Sequence, residues 1–309
     1  MSIIVSVDHL HKEFNGVKAV NDLSFTVNEG DVYGFLGQNG AGKSTSIRMM
    51  LTLIKPDSGS IRIFGKELAH HRNEILSKTG AIIERPDLYK YLSAYENLSV
   101  FARLSGMKTS RKLLMDQLEK VGLAERCNSK VKTFSQGMKQ RLGIAVALVH
   151  DPELIILDEP TNGLDPQGIA DMRNLIIDLS TVHGKTVIVS SHLLSEIEMM
   201  ANRMIIIDRG RKIAEGTVTE MMDPSATIVQ LESTNDGDTR SMLQQSSWAP
   251  HLEQSDNIRF RMNKKDIPQL AAWLIEKQVG IISLQPRHSL EDYFLSLTNP
   301  ENHVEPLSN

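Results

Sequence analysis

The 309-residue sequence predicts an α/β fold: a parallel sheet covered by helices, a helical insertion, and a small α+β appendage. Three observations predict it. Short apolar runs, "LIILD", "TVIVSS" and "RMIIID", alternate with helical patterns, and strands apolar along their whole length belong in sheets covered on both faces. Between residues 94 and 149 the pattern stays helical, in "AYENLSVFARL", "RKLLMDQLEKVG" and "QGMKQRLGIAVALV". Beyond about Gly216 the texture changes to the polar, turn-rich "ESTNDGDTRSMLQQSS".

The elements follow in order. Residues 2–7 and 22–36 read as strands, from the alternation in "SIIVSV" and from "LSFTV" and "DVYGFL" around the turn "NEG". "KSTSIRMMLTL" reads as a helix that opens after a glycine-rich loop and stops before Pro56. "GSIRIFG" is a short strand between turn residues, and "GAII" is an apolar run that ends on Glu84. After the insertion come the strand "LIILD", a helix over 169–179, the strand "TVIVSS", a helix over 193–200 and the strand "RMIIID". The appendage holds "NIRFRM", "IPQLAAWLIEKQ", "GIISL" and "SLEDYFLSL", and the tail "TNPENHVEPLSN" reads as frayed. His9 and His11 fall on an exposed, edge-like segment, and His70 and His71 in a charged connection. Met49, Met50, Met199 and Met200 are expected in the core.

Composition narrows the function. With 40% hydrophobic and 23% charged residues the chain reads as ordinary globular protein. A net charge of -4 gives no general affinity for nucleic acid or anionic membrane. Cys127 is the single cysteine, so no intramolecular disulfide can form, which fits a reducing compartment. "MSIIVSVDHL" lacks the basic and apolar segments of a signal peptide. The most apolar helical stretch, 142–149, is too short to span a bilayer. A membrane role must therefore come through a partner.

"GQNGAGKS" at 37–44 fits the phosphate-loop pattern, between the strand "DVYGFL" and a helix. A chance match anywhere in such a chain has odds of about 1 in 100. Gly37, Gln38, Asn39, Gly40, Ala41 and Gly42 would wrap phosphates with backbone N–H groups, helped by the helix N-terminus. Lys43 would reach the β- and γ-phosphates, the Ser44 hydroxyl would ligate Mg²⁺, and Thr45 continues the cradle. "LIILDEP" sets two acids at the C-terminal end of a buried strand, where parallel sheets bind ligands. Asp158 suits a Mg²⁺-linked acid and Glu159 the base that activates a water.

Together with "FSQGMKQR" at 134–141, "NGLDP" at 162–166 and "SSHLLSE" around His192, these motifs resemble the nucleotide-binding subunit of an ATP-binding cassette (ABC) transporter. They occur in the family's order across roughly residues 2–216. The resemblance implies a P-loop NTPase cassette: a mixed β core over 1–216 with a helical subdomain at about 85–150, then a small C-terminal α+β domain over 217–309. ATP and Mg²⁺ are the implied ligands. Ser135 and Gly137, at the start of a helix, form an anion site that in this family closes on the γ-phosphate held by a second subunit. One phosphate loop and one signature per chain imply a second cassette, most simply another copy of this chain. His192 is similar to the family's switch histidine, which contacts the γ-phosphate. Asp165 would shape the dimer contact, or cap the helix before Pro166. Phe14 lies where the family places an aromatic that stacks on adenine.

Two departures narrow the subgroup. Gln136 and Met138 stand where many members carry glycine and glutamine, and "SQGMKQRLGIA" resembles cassettes that pair with separate exporter permeases. Glu84 stands where the family normally has a glutamine that reaches Mg²⁺ and the attacking water. "GAIIERPDLYKYLSAYENL" resembles the version in bacitracin-type and lantibiotic-immunity exporters. An acid about 5 Å from a phosphate charge costs about 3 kcal/mol per unit charge at an effective dielectric of about 20. Glu84 must therefore ligate Mg²⁺, stay swung out, or take a proton. The expected protein is an ATP-hydrolysing exporter subunit, cytoplasmic and peripheral on the inner membrane face through an integral permease, with no nucleic acid partner and an antibiotic-resistance role. Two rivals are a soluble cassette ATPase of ribosome or nucleic-acid work and a non-hydrolysing regulatory module. The chain lacks the long coiled-coil insertion or second cassette of the first, and it keeps the Glu159 and His192 that the second would lose.

Overall fold

The computed structural model describes residues 2–221, 227–253, 255 and 257–287. The chain divides into two compact units, Met1–Val218 and Thr219–Asn309. The first runs β1 (Ile3–Phe14), β2 (Val17–Asn28), β3 (Val32–Leu36), α1 (Lys43–Met50), β4 (Ser58–Ile63), β5 (Lys66–Glu67), α2 (Leu68–Leu76) and β6 (Thr79–Ile82). Three helices follow, α3 (Ala94–Leu104), α4 (Arg111–Lys120) and α5 (Gln136–Leu148). The unit closes with β7 (Leu154–Asp158), α6 (Pro166–Thr181), β8 (Thr186–Ser191), α7 (Leu194–Met200), β9 (Arg203–Asp208) and β10 (Arg211–Thr217).

Two sheets share one core. The antiparallel sheet has the order β2-β1-β4-β5, and the larger one β10-β9-β3-β8-β7-β6. In the larger sheet β9, β3, β8, β7 and β6 run parallel, and β10 turns back along β9. β3, β7 and β8 are buried at every residue, which explains why they read as unbroken apolar runs. Phe25 of β2 packs edge-on to Phe35 of β3, ring centres 5.0 Å apart, and Ile47, Met49 and Met50 of α1 lie in the same core.

Several sequence expectations need correction. The strand expected over 2–7 continues to Phe14, because Asn15 and Gly16 turn the chain with φ 48 and 84. Two left-handed residues make the two-residue hairpin turn whose twist matches its strands, and Asn-Gly was its signal. β1 lies between β2 and β4, so His9 and His11 are not on an edge. His70 and His71 sit on α2 rather than in a connection. Met199 is 60% exposed, whereas Met49, Met50 and Met200 are buried.

The second unit begins within α8 (Val218–Met221) and contains β11 (Thr227–Ser233), α9 (Asp236–Gln244), β12 (Ile258–Met262), α10 (Ile267–Glu276) and β13 (Ile281–Arg287). Its sheet is antiparallel, in the order β12-β11-β13. Val229, Leu231, Leu243, Phe260, Leu270 and Leu274 form a core of its own. The polar stretch read as turns holds α9, capped by Asn235 accepting from the Asp238 N–H. "SLEDYFLSL" and the tail lie outside the described residues.

Candidate active site

Topology assembles the site. β3, β8 and β7 are parallel neighbours, so the residues after Leu36, Ser191 and Asp158 leave the sheet side by side. That edge is where open parallel sheets bind ligands.

The loop after β3 folds around the Lys43 ammonium. Nζ donates to the carbonyl oxygens of Gly37 at 2.5 Å and Gln38 at 3.3 Å, and the residue is 5% exposed. Two glycines are required. A Cβ on Gly42, at φ 106, would sit 2.4 Å from the Ala19 carbonyl, and one on Gly37 would sit 2.6 Å from that of Ile207. α1 starts at Lys43 without a side-chain cap, so its first N–H groups remain available to an anion. Gln38, Asn39 and Gly40 are exposed, Ala41 is buried, and Ser44 and Thr45 are half-buried at the start of α1.

Opposite the loop, Lys43 Nζ lies 3.2 Å from Glu159 Oε1. This is an ion pair without hydrogen-bond alignment, since Glu159 Oε1 is buried with no hydrogen-bond partner. The other oxygen, Oε2, bonds His192 Nδ1 at 2.8 Å. Glu159 itself holds φ 50, a left-handed conformation that costs a glutamate about 1–3 kcal/mol and is kept only where the surroundings impose it. Ser190 braces this backbone. Its register partner across the sheet is Asp158; its Oγ accepts from the Glu159 N–H at 2.9 Å and donates to Asp158 Oδ1 at 2.6 Å. Asp158 is 1% exposed, and its Oδ2 has no partner.

Ser135 caps α5, accepting from the Met138 N–H at 3.2 Å. Asp165 caps α6 in the same way, with the Gly168 N–H at 3.1 Å. Ser135 and Gly137 line a cleft of about 400 Å³ with Gly163, Leu164 and Asp165. Phe14, at the end of β1, is 44% exposed, with Lys12 Nζ 5.2 Å from its ring centre. Its hairpin reaches the phosphate loop through Ala19, whose carbonyl faces Gly42.

Glu84 is not brought onto the acids of β7. It follows β6, the edge strand, at φ 61, and its carboxylate pairs with the Arg48 guanidinium of α1. That pair leaves the carboxylate exposed on the surface. Sequence reading missed Arg48, Ser190 and Asn97. Buried Asn97 clamps the loop after Glu84, accepting from the Tyr89 N–H at 2.8 Å and donating to the Tyr89 carbonyl at 3.0 Å. An asparagine inside the α3 pattern was the available signal.

A phosphate loop facing a paired glutamate and histidine at the ends of parallel strands defines a nucleoside-triphosphate-binding core. The sequence profile of the ABC transporter family matches residues 20–162. The uncharacterized ABC transporter ATP-binding protein YhcH of Bacillus subtilis (strain 168) is 40% identical over 301 residues, 96% of this chain and 97% of that one. The bacitracin transport ATP-binding protein BcrA of Bacillus licheniformis is 40% identical over 301 residues, 96% of this chain and 98% of that one. Among solved structures, cbiO1 from Clostridium perfringens, part of the ABC transporter complex cbiONQ, aligns with a TM-score of 0.66 at 28% identity, covering 71% of this chain and 90% of that one. The chain belongs to the ABC transporter ATP-binding proteins, and it is an ATPase of that family. Among the described residues no helix is long and apolar enough to cross a membrane.

Proposed function

We propose that this chain drives an exporter from the inner face of the cell membrane, working as one of two identical cassettes on a separate permease. The observation that supports this reading best is the contact series Lys43–Glu159–His192 beneath the phosphate loop. The 1–216 region is the nucleotide-binding domain in this reading, and 217–309 an accessory domain. Export of a peptide antibiotic draws support from the 40% identity to the bacitracin transport protein.

The chemistry follows from the geometry. N–H groups of the 37–42 loop and the start of α1 hold the phosphates. Lys43, now on loop carbonyls and Glu159, turns its ammonium to the β- and γ-phosphate oxygens. That releases Glu159 to accept the proton of the attacking water, while His192 holds the Glu159 carboxylate and meets the γ-phosphate. Ser135 and Gly137 of one cassette close on the γ-phosphate of the other. Phe14 stacks on adenine. The residues also fit Mg²⁺: Asp158 Oδ2 is a buried, unpartnered oxygen, and the Ser44 hydroxyl is a second hard donor. Mg²⁺ keeps few protein ligands and completes its shell with water and phosphate. Among the described residues no group of three His, Cys, Asp or Glu side chains is set to hold a metal. When bound, Mg²⁺ supplies charge neutralisation at the phosphate oxygens.

Replacing Glu159 by Gln tests the base. ATP binding is expected to persist while turnover falls at least about 100-fold; turnover at the wild-type rate would remove the assignment. The same variant, unable to reopen, is expected to elute as a dimer with ATP and a monomer without it. Co-purification with an integral permease separates the exporter from a ribosome- or nucleic-acid-bound ATPase.

A further inference from the structure

The loops that carry Glu159 and His192 are joined by a third residue. Glu196 lies on α7 and is 9% exposed. Its Oε2 accepts two hydroxyls: Thr161 Oγ1 at 2.6 Å and Ser191 Oγ at 2.7 Å. Thr161 follows Glu159 by two residues, and Ser191 immediately precedes His192. Both are almost fully buried, at 4% and 1% exposure. Past Thr161 the chain continues into Gly163, Leu164 and Asp165, one wall of the cleft whose other wall is Ser135 and Gly137.

The polarity of this joint is fixed. A carboxylate offers only acceptors, so both hydroxyls must donate to it. Ser191 Oγ, its proton committed, is then free to accept, and it takes the Leu193 N–H at 3.0 Å. The backbone on both sides of His192 is thereby set by one hydroxyl, and that hydroxyl by Glu196. Charge-assisted bonds of this length are stronger than neutral ones and have defined direction.

We propose that Glu196 is a positioning residue for ATP hydrolysis. It locks the loop after β7 to the loop after β8, so that His192 stays on the Glu159 carboxylate and follows any movement of the 161–165 cleft wall. Its bonds run to Thr161 and Ser191, and it acts through them. The inference rests on the reading of Glu159 and His192 given above.

Steady-state ATPase kinetics of the full chain test it. Glu196→Ala is expected to lower kcat about 10- to 100-fold, the cost of a misplaced catalytic group, with KM for ATP and ATP binding within about threefold. Glu196→Gln, which keeps an oxygen in place, should recover most of the loss. Thr161→Val, which matches threonine in shape, removes one arm and should lower kcat; Thr161→Ser, which restores the hydroxyl, should not. Added to Glu196→Ala, Thr161→Val should cost nothing further, because Thr161 acts through the lost carboxylate. If Glu196→Ala does not fold, the two Thr161 variants decide alone. A melting temperature that falls while kcat stays at the wild-type value overturns the proposal, as does a Thr161→Val loss that multiplies with that of Glu196→Ala. An inactive Glu159→Gln beside a fully active Glu196→Ala sinks this proposal and leaves the base assignment standing.

Discussion

Glu84 is a carboxylate whose partner, Arg48, lies on the helix that follows the phosphate loop. Beside a phosphate it would cost about 3 kcal/mol per unit charge, and here it pairs with the Arg48 guanidinium. The pair is exposed, with Glu84 at 66%, so its worth to stability is at most about 1 kcal/mol. Glu84→Gln should therefore melt near the wild-type temperature and bind ATP normally, while the ratio of transport to hydrolysis in permease-containing vesicles changes. An untouched ratio returns Glu84 to the status of a loop acid. Gly42 is the opposite case, with no room for change. Gly42→Ala sets a Cβ against the Ala19 carbonyl in a left-handed conformation. It should cost about 1–3 kcal/mol of stability and weaken ATP binding, both readable from melts with and without nucleotide.

At the scale of elements, α3 has an unusually complete start. Ser93 accepts from the Glu96 N–H, and Glu96 returns the bond to the Ser93 N–H at 2.7 Å. Ser93→Ala should destabilise the chain by about 1 kcal/mol in a denaturant titration. The Ser93 N–H, and then the Ser93 side chain, hold the Glu96 carboxyl below its usual 4.5. A carboxylate lowered on folding contributes stability above the ordinary value and loses it as pH falls through the lowered one. The gap in melting temperature between wild type and Glu96→Gln should thus be full above about pH 4.5 and close on further acidification. The element also matters to the site, because Asn97 on α3 clamps the loop leading away from Glu84. α5 packs closely on that same loop: a Cβ on Gly143 would meet Pro86 at 2.6 Å.

At the scale of the molecule, each compact unit has its own apolar core. A fragment of residues 1–218 should therefore fold alone and bind ATP with the affinity of the full chain, as measured by nucleotide titration. Unchanged binding would leave the second unit a role other than holding nucleotide; weakened binding would give it a part in the site. In the proposed reading, one phosphate loop and one Ser135–Gly137 segment per chain require two chains for two complete sites.

The sequence by itself pointed to the phosphate loop, Asp158, Glu159 and His192 as the candidate site. Each belongs to a contiguous motif whose chemistry is local: glycines before a lysine, acids ending an apolar strand, a histidine ending another. It also determined the buried sheet, because strands covered on both faces must be apolar throughout. Tertiary structure decided the rest. Ser190 meets Asp158 because β8 lies beside β7 in that register. Glu196 meets Thr161 because α7 packs on β3 and β8, and Glu84 meets Arg48 on another element, α1. Hydrogen bonds and ion pairs act over about 3 Å, so such partners are chosen by which strands and helices lie side by side, and no spacing along the chain records that choice.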